Sequence, residues 1–286
     1  MAKDKKRLDV LLVERNLCTS RQQAQRYIRA GEVMVAQEII DKPGTEVPIA
    51  SDIHLKPRAP YVSRGGEKLA AALETFAIVV ANRVCLDGGI STGGFTDCLL
   101  QNGARQVYGV DVGYGQVDWK LRNDSRLVLR ERTNLRHLTA EQLYEPGAEI
   151  ADLGVVDVSF ISLTKVLPAV WELLHPPREL VLLVKPQFEV GRASVGKKGV
   201  VRHNRDRAEA IAQVIAAAHA LGWNSQGVVP SPITGPAGNV EYLLWLNLKP
   251  AAKAFDWAEL QKITATSTPA TAKHSKIMVV FLPQKC

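Results

Sequence analysis

The chain has 286 residues, of which 46% are hydrophobic and 23% are charged. This length allows one large domain or two unequal domains, and the composition excludes a disordered, collagen-like or disulfide-scaffold protein. The 36 Lys and Arg residues exceed the 29 Asp and Glu residues, and the resulting net charge of +7 favours a polyanionic partner such as nucleic acid.

The sequence lacks the usual features of secreted, membrane-spanning and metal-binding proteins. The basic residues at its start are not followed by an apolar segment, and no stretch reaches the ~18 apolar residues of a membrane span. Four cysteines lie far apart without a C-x-x-C pair, at Cys18, Cys85, Cys98 and Cys286. We therefore expect a cytoplasmic protein with no membrane partner, no bound metal and no disulfide framework.

A small α+β domain is predicted over residues 8–55. Its first helix is indicated by leucines at helical spacing, Leu8, Leu11 and Leu12. A second helix is predicted over 21–30, because Ser20 is placed to cap it and Gln23 occupies the capping-box position. Short strands are predicted at residues 33–35, 39–40 and 53–55.

The first 30 residues carry eight basic and three acidic side chains, a local net charge of +5. One interpretation is a solvated helix face, which is the usual reason for such a charge run. The other is a surface that contacts the phosphates of a nucleic acid. The charge pattern alone leaves both interpretations open.

The pattern changes after a stiff segment with two prolines, Pro57-Arg58-Ala59-Pro60. Beyond it, helix-type and strand-type segments alternate, which predicts an open, doubly wound α/β sheet. The predicted helices cover residues 67–76, 94–102, 163–174 and 204–221. The predicted strands cover residues 84–86, 106–110, 127–129, 153–158, 180–184, 225–229 and 240–246.

A glycine-rich loop follows the first strand of this sheet, in the sequence Asp87-Gly88-Gly89-Ile90-Ser91-Thr92-Gly93-Gly94. It does not contain the G-x-G-x-x-G pattern of dinucleotide sites. Asp111 ends the next strand, where a carboxylate can accept hydrogen bonds from both hydroxyls of a ribose. The loop and Asp111 together favour S-adenosylmethionine as the ligand, and the alternative is a tight turn with a helix cap.

Four polar residues fall where strands or helices reach the same edge of the predicted sheet, namely Lys68, Asp157, Lys185 and Glu241. The carboxyl ends of parallel strands carry function in this architecture. Lys185 follows five apolar residues, and desolvation of this kind disfavours the charged form of an amine, as a general base requires. Ordinary solvation at a strand end is the simpler explanation for any one of the four.

The order Lys-Asp-Lys-Glu resembles that of the 2′-O-ribose RNA methyltransferases of the FtsJ-like superfamily. Longer strings resemble the TlyA family of ribosomal RNA ribose methyltransferases, often catalogued as haemolysins: Tyr61–Leu69, Ser91–Thr96, Val110–Gln116, Asp157–Leu163, Lys185–Gly191 and Gly235–Tyr242. The N-terminal part resembles the α-L RNA-binding domain. The resemblance covers residues 5 to about 248. It departs from the family at Ile90, which is expected to reshape the glycine loop.

The resemblance implies a Rossmann-like, S-adenosylmethionine-dependent methyltransferase sheet preceded by a small α+β RNA-binding domain. The expected division is an RNA-binding domain at 1–57, a linker at 58–64, a methyltransferase domain at 65–250 and a tail of unknown role at 251–286. The implied reaction is methylation of a ribose 2′-hydroxyl, of cytidine, in 16S or 23S ribosomal RNA or both.

The same resemblance assigns roles to individual residues. Lys185 is the expected base, Asp157 orients it, and Lys68 and Glu241 hold the ribose. The residues expected to bind the cofactor are Asp87, Gly89, Ser91, Thr92, Gly93, Gly94, Asp111 and Asn134. Those expected to contact RNA are Lys5, Arg7, Arg21, Arg64 and Arg132.

Two alternatives come from other functional classes. A membrane-damaging haemolysin would need a signal segment, a membrane span or a free amphipathic helix. The amphipathic helix predicted over 204–221 lies between two strands, which is typical of a crossover helix of the sheet. A non-catalytic RNA-binding protein would not need the Lys-Asp-Lys-Glu set. Ribosomal RNA or ribosomal subunits are the expected partners, and a monomer is favoured.

Overall fold

The computed structural model describes residues 4–56, 59–251 and 255–266. Its contacts divide the chain into two compact units, Met1–Pro60 and Tyr61–Cys286. The last residue of the predicted RNA-binding domain and the first of the predicted linker, at 57 and 58, lie outside the described residues. Most of the predicted tail, at 252–254 and 267–286, lies outside them as well.

The small unit packs two helices against short strands. In chain order the elements are β1 (Lys5–Arg7), α1 (Leu8–Glu14), α2 (Arg21–Arg29), β2 (Val33–Val35), β3 (Glu38–Ile39), β4 (Glu46–Pro48) and β5 (Ile53–Leu55). β1 pairs with β4, and β2 pairs with β3 and β5, all antiparallel. Leu8, Leu12 and Ile28 are fully buried between these elements, so the apolar face of each helix forms the core of the unit.

The predicted cap of α2 is confirmed, because the Ser20 side chain accepts a hydrogen bond from the backbone N–H of Gln23. The carbonyl oxygen of the Gln23 side chain accepts from the backbone N–H of Thr19. The sequence prediction missed β1 and β4. Each has three residues, and their sequences, Lys-Lys-Arg and Glu-Val-Pro, lack the run of β-branched residues that marks a strand.

The larger unit alternates helices and strands. Its helices are α3 (Gly65–Thr75), α4 (Gly94–Gln101), α5 (Trp119–Arg122), α6 (Ala140–Leu143), α7 (Leu167–Leu173), α8 (Pro186–Glu189), α9 (Asn204–Leu221) and α10 (Trp257–Ala265). Its strands are β6 (Val84–Gly88), β7 (Gln106–Val110), β8 (Leu127–Arg130), β9 (Leu153–Val156), β10 (Glu179–Val184), β11 (Asn224–Pro230) and β12 (Tyr242–Asn247). Short 3-10 turns lie at Leu135–His137, Leu163–Lys165 and Arg192–Ser194.

Seven strands form one sheet in the order β11-β12-β10-β9-β6-β7-β8. The pairs among β6 to β10 are parallel, whereas β12 is antiparallel to both β10 and β11. The chain adds β7 and β8 on one side of β6 and places β9 and β10 on the other. The predicted Rossmann-like α/β fold is therefore confirmed, and its switch point lies beyond the carboxyl ends of β6 and β9.

Two apolar clusters cover the two faces of the sheet. Leu180, Leu182 and Val184 of β10 join the cluster with α7, α9 and α10, while Val181 and Leu183 join the cluster with α3 and α4. A parallel strand buried on both faces is expected to be apolar at every position. This burial explains the run of apolar residues that precedes Lys185.

Two predicted elements differ in detail. The helix predicted over 163–174 is a 3-10 turn followed by α7, with Pro168 in the first turn of the α-helix. The strand predicted from residue 240 begins at Tyr242, so Glu241 precedes the strand. In addition, α10 lies in the predicted tail and packs on α9, where the Thr264 hydroxyl donates to the carbonyl oxygen of Asn204.

Candidate active site

The glycine loop lies at the switch point of the sheet. Gly89 and Gly93 adopt left-handed backbone angles, with φ of +88° and +97°. A Cβ atom on Gly89 would lie 2.6 Å from the carbonyl oxygen of Asp157, so only glycine fits the crossing of these two loops. The side chain of Ile90 is buried and packs against the backbone of Gly109 in β7.

A cavity of about 320 Å³ opens beside this loop. Its walls combine polar residues with apolar ones, the latter including Val110, Val112, Leu135, Ile161 and Val166. Four predicted cofactor residues line it, namely Gly89, Ser91, Asp111 and Asn134.

Asp111 is held in place by the backbone around the cavity. One carboxylate oxygen accepts from the N–H of Ser91 at 2.8 Å and the other from the N–H of Gly113 at 2.7 Å. Because each carboxylate oxygen can accept two hydrogen bonds, one acceptor position remains on each for a ligand hydroxyl.

Asp87 lies beneath the loop and lines neither this cavity nor the next one. It is fully buried, and its Oδ2 accepts from the Thr96 hydroxyl at 2.7 Å. Among the described residues, no group donates to its Oδ1. Burial raises the pKa of Asp87 to about 7, and the hydrogen bond from Thr96 offsets only part of that effect.

A second cavity, of about 260 Å³, holds the predicted catalytic set, and Lys68, Asp157, Lys185 and Glu241 all line it. The set consists of two ion pairs. The amine of Lys68 donates to Glu241 at 2.5 Å, and both side chains are almost fully buried. The amine of Lys185 lies 2.5 Å from Asp157 and donates to the Ser159 hydroxyl at 2.8 Å.

The sheet explains why these residues meet. β10 and β12 are antiparallel with Val184 opposite Tyr242, so the next position on each side places Lys185 beside Glu241 at the edge of the sheet. Asp157 follows the neighbouring strand β9. Lys68 reaches the same edge from α3.

The two cavities share part of their walls. Gly89, Ser91, Asp157 and Ser159 border both of them. A ligand in the larger cavity and a ligand beside Lys185 would therefore meet next to Asp157. Thr92 and Gly94, predicted to bind the cofactor, line the smaller cavity. Gly93 lines neither, and a Cβ atom there would lie 2.3 Å from Leu121.

Sequence reasoning missed several residues that line the two cavities. Ser159, which contacts Lys185, stands two positions after Asp157 in the segment Asp157–Leu163, whose resemblance to the family assigns a role only to Asp157. Gln116 and Thr133 also line the larger cavity. Gln116 belongs to the segment Val110–Gln116 that contains Asp111, and Thr133 directly precedes Asn134. Proximity in the sequence to a predicted cofactor residue was therefore the signal that could have identified both.

The predicted RNA-contacting residues lie in different surroundings. Arg64 lines the smaller cavity, and the Arg132 guanidinium lies 4.2 Å from the centre of the Tyr114 ring. Lys5 is exposed on β1. Arg7 and Arg21 are half-exposed and bind the buried carboxylate of Asp9, so part of each guanidinium serves the small unit itself.

Comparison with known families agrees with this geometry. The family described as FtsJ-like methyltransferase matches residues 61–248, and the S4 domain matches residues 6–53. The first match covers the glycine loop and all four residues of the two ion pairs. The chain belongs to the FtsJ-like methyltransferase family. It is thus a methyltransferase that carries an S4 domain, a domain that binds RNA.

Individual relatives cover most of this FtsJ-like methyltransferase. The 16S/23S rRNA (cytidine-2′-O)-methyltransferase TlyA of Mycobacterium tuberculosis is 50% identical over 84% of this chain and 89% of its own. Hemolysin A of Brachyspira hyodysenteriae is 40% identical over 83% of this chain and 98% of its own. A solved structure described as "Putative hemolysin from Streptococcus thermophilus" is 38% identical, with a TM-score of 0.69 over 92% of this chain and 96% of its own.

The methyl donor of FtsJ-like methyltransferases is S-adenosylmethionine, and the larger cavity suits it. The apolar walls suit an adenine ring, and Asp111 retains acceptor positions for ribose hydroxyls. Over residues 4–56, 59–251 and 255–266, no helix is long and apolar enough to cross a membrane. No three His, Cys, Asp or Glu side chains in those ranges are grouped to hold a metal ion.

Proposed function

We propose that this protein methylates the ribose 2′-hydroxyl of cytidine in ribosomal RNA, in the 16S or 23S molecule or both. The observation that supports the proposal is that the two cavities share Asp157 as a lining residue, since a methyl donor in one and a ribose in the other would then meet beside the Lys185–Asp157 pair. The relative named for this reaction supports the choice of substrate. Ribosomal subunits as substrate imply a cytoplasmic enzyme, and we take one chain to be the active unit.

Lys185 acts as the general base in this proposal. A ribose hydroxyl is a weak nucleophile at neutral pH, so its proton must be removed as its oxygen attacks. In the reacting complex a neutral Lys185 amine, formed by loss of a proton to solvent, would take this proton as the hydroxyl oxygen bonds to the methyl group and the methyl–sulfur bond of the donor breaks, which would leave a neutral thioether. Asp157 then stabilises the resulting ammonium, which returns its proton to solvent.

Lys68 and Glu241 hold the ribose beside Lys185. Their mutual ion pair is almost fully buried, so the two charges balance and neither one is left without a partner in the protein. The Lys68 ammonium has further donors for an oxygen of the RNA, and Glu241 has a second oxygen for a hydroxyl. Both therefore fix the orientation of the ribose. Holding two substrates in the reactive geometry supplies a large part of the rate enhancement in a two-substrate reaction.

The cofactor is held by the residues of the larger cavity. Bound S-adenosylmethionine supplies an electrophilic methyl group on a sulfonium. Asp111 accepts hydrogen bonds from the ribose of the cofactor, while Ser91 and Asn134 lie on the same wall. The glycine loop, with Asp87 beneath it, completes the site and keeps the cofactor beside Asp157.

Basic residues bring the RNA to this site. In the small unit these are Lys5, Arg7 and Arg21, and in the larger unit they are Arg64 and Arg132. Their contacts with phosphates give affinity and position, while the identity of the base is read elsewhere. Arg64 borders the smaller cavity itself, which suits a contact next to the target nucleotide.

The proposal is tested by methyl transfer from labelled S-adenosylmethionine to ribosomal subunits that lack ribose methylation. We expect label in 2′-O-methylcytidine after complete digestion of the RNA, detected by mass spectrometry. Label on a base, on protein or on no product would reject the assignment. Lysis of red cells by the purified protein would favour the haemolysin alternative.

Lys185→Arg separates a base from a phosphate contact. Arginine keeps the positive charge but stays protonated at accessible pH, so a base role predicts a loss of about 100-fold or more in single-turnover rate with saturating RNA and cofactor. Affinity for both ligands should change little. Lys165→Arg, an exposed position on the nearby 3-10 turn, is the matched control. A rate for Lys185→Arg within a few-fold of the parent would make Lys185 a binding residue.

A further inference from the structure

The loop that follows Asp157 has to stay in one conformation for the proposed reaction. It carries Ser159, which binds the Lys185 amine, and it passes through Phe160 in a left-handed backbone conformation with φ of +65°. Such a conformation is unfavourable for a non-glycine residue and persists only where the surrounding structure holds it. Phe160 is also 92% exposed, so burial of its own side chain does not hold the loop.

Glu189 is a half-buried carboxylate to which the proposed reaction assigns no role. It ends α8, the short helix that starts directly after Lys185. One of its oxygens accepts from the Ser162 hydroxyl at 2.6 Å, and the other accepts from the backbone N–H of Leu163 at 2.9 Å. Glu189 therefore joins the segment after β10 to the segment after β9.

These hydrogen bonds join the two segments into a closed loop of covalent and hydrogen bonds that includes Lys185. This closed loop runs along the chain from Lys185 to Glu189, crosses to Ser162, returns along the chain to Ser159 and closes on the Lys185 amine. The rings of Phe160 and Phe188 lie 5.3 Å apart across it. A loop that is bonded at both ends has little freedom to move Ser159 away from the amine.

We propose that Glu189 is a positioning residue for methyl transfer, holding the loop between Asp157 and Leu163 so that Asp157 and Ser159 keep Lys185 in place. This inference rests on the function proposed above. Glu189 touches neither of the paired lysines and lines neither cavity, so it acts only through the loop. Burial raises the pKa of Glu189, while the hydrogen bonds from Ser162 and Leu163 act in the opposite direction and favour the ionised carboxylate.

Glu189→Ala removes both acceptors and tests the proposal directly. We expect kcat for RNA methylation to fall roughly 10-fold to 100-fold through misplacement of the base, with KM for RNA nearly unchanged. Glu189→Gln keeps one oxygen for the Leu163 N–H, and its amide can donate to Ser162, so it should restore most of the rate. Glu209→Ala, which removes an exposed carboxylate on α9, is the matched control.

A double-mutant cycle with Ser159→Ala separates positioning from general stability. If Glu189 acts by placing Ser159, the loss caused by Glu189→Ala should shrink to about 2-fold in the Ser159→Ala background. Equal losses in both backgrounds would overturn the proposal. A Gln variant as slow as the Ala variant would also contradict it.

Amine labelling gives a readout that needs no RNA. Trinitrobenzenesulfonate should modify Lys185 several-fold faster in Glu189→Ala than in the parent or in Glu209→Ala, as measured by mass spectrometry of the Lys185 peptide. If the parent does not methylate ribosomal RNA, the proposed function fails while this labelling still tests the loop. Unchanged labelling of Lys185 in Glu189→Ala would reject the positioning role.

Discussion

Two buried aspartates, one in each unit, are treated in opposite ways. Burial by itself would raise the pKa of Asp9, but hydrogen bonds from Arg7, Gln25 and Arg21 outweigh it and hold that pKa well below its usual range. Asp87 is equally buried, yet only Thr96 donates to it through a side chain. Burial therefore raises the pKa of Asp87 to about 7.

The difference separates a carboxylate that the fold stabilises in its charged form from one that burial disfavours in that form. A buried carboxylate with enough donors contributes to the fold at neutral pH, whereas one with an oxygen lacking a donor makes the folded state less stable when it ionises. Asp87 lies under the glycine loop, to which the proposed function assigns a positively charged cofactor. A site that tolerates such a charge in the free protein gains electrostatic complementarity when the cofactor binds.

The proposed function gives RNA affinity to the small unit and chemistry to the larger one, and deletion of residues 1–60 tests this division most strongly. We expect methylation of ribosomal RNA at limiting enzyme to fall roughly 1,000-fold or more, because the specific RNA contacts of the small unit are lost. Cofactor affinity, measured by calorimetry, should stay within a few-fold of the parent. Full activity of the shortened chain would break the division.

Asp87→Asn should reveal the cost of the ionised carboxylate. Because the pKa of Asp87 is raised to about 7, its ionisation destabilises the fold progressively as the pH rises from about 4 to above 7. At pH 8 the Asn variant should be more stable than the parent by on the order of 3 kcal/mol, and near pH 4 the difference should vanish. Amide exchange of β6 without cofactor measures this, and a pH-independent difference would contradict it.

Asp9→Asn should show the opposite sign. The lowered pKa of Asp9 means that its contribution is present above about pH 4 and is lost as the pH falls further. At pH 7 the variant should lose about 1.5–3 kcal/mol in the small unit, the usual value for hydrogen bonds to a charged group. Amide exchange of α1 in the full chain measures the loss. Asp41→Asn, an exposed position, is the control and should change nothing.

Asp111→Ala should weaken cofactor binding by at least about 10-fold, because charge-assisted hydrogen bonds to the ribose are lost. Part of this loss comes from the loop, since Asp111 also holds the N–H groups of Ser91 and Gly113. Asp118→Ala, which removes a helix-cap carboxylate that lines neither cavity, is the matched control. Calorimetric titration with unchanged affinity for Asp111→Ala would remove Asp111 from the cofactor site.

Local signals in the sequence predicted most of the elements. Helix α9 and strand β7 have the predicted bounds, because a long amphipathic repeat and a short apolar strand are each visible within a few residues. The glycine loop was located because its conformation needs glycine. The break before α7 and the strands β1 and β4 were missed, since pairing and packing with distant segments decide them.

The residues of the site were predicted from their places at the ends of elements, but their pairing was not. Lys185 and Lys68 could each have met either acid, and the structure pairs Lys185 with Asp157 and Lys68 with Glu241. The role of Ser159 depends on the loop that carries it. The binding of Arg7 and Arg21 to Asp9 was not visible either, since an arginine that faces solvent and one that binds a buried acid have the same sequence signature.

The amino-acid sequence by itself determined the fold class, the glycine loop and the set of charged residues at one edge of the sheet, because each depends on patterns within a few neighbouring residues. Only the tertiary structure decided which charged side chains form ion pairs and which carboxylate oxygen, in Asp87, has no hydrogen-bond donor among the described residues. Lys68 and Glu241 are 173 positions apart, and Glu189 reaches Ser162 across two strand ends. Such contacts depend on strand order and register, which are set by packing of the whole sheet.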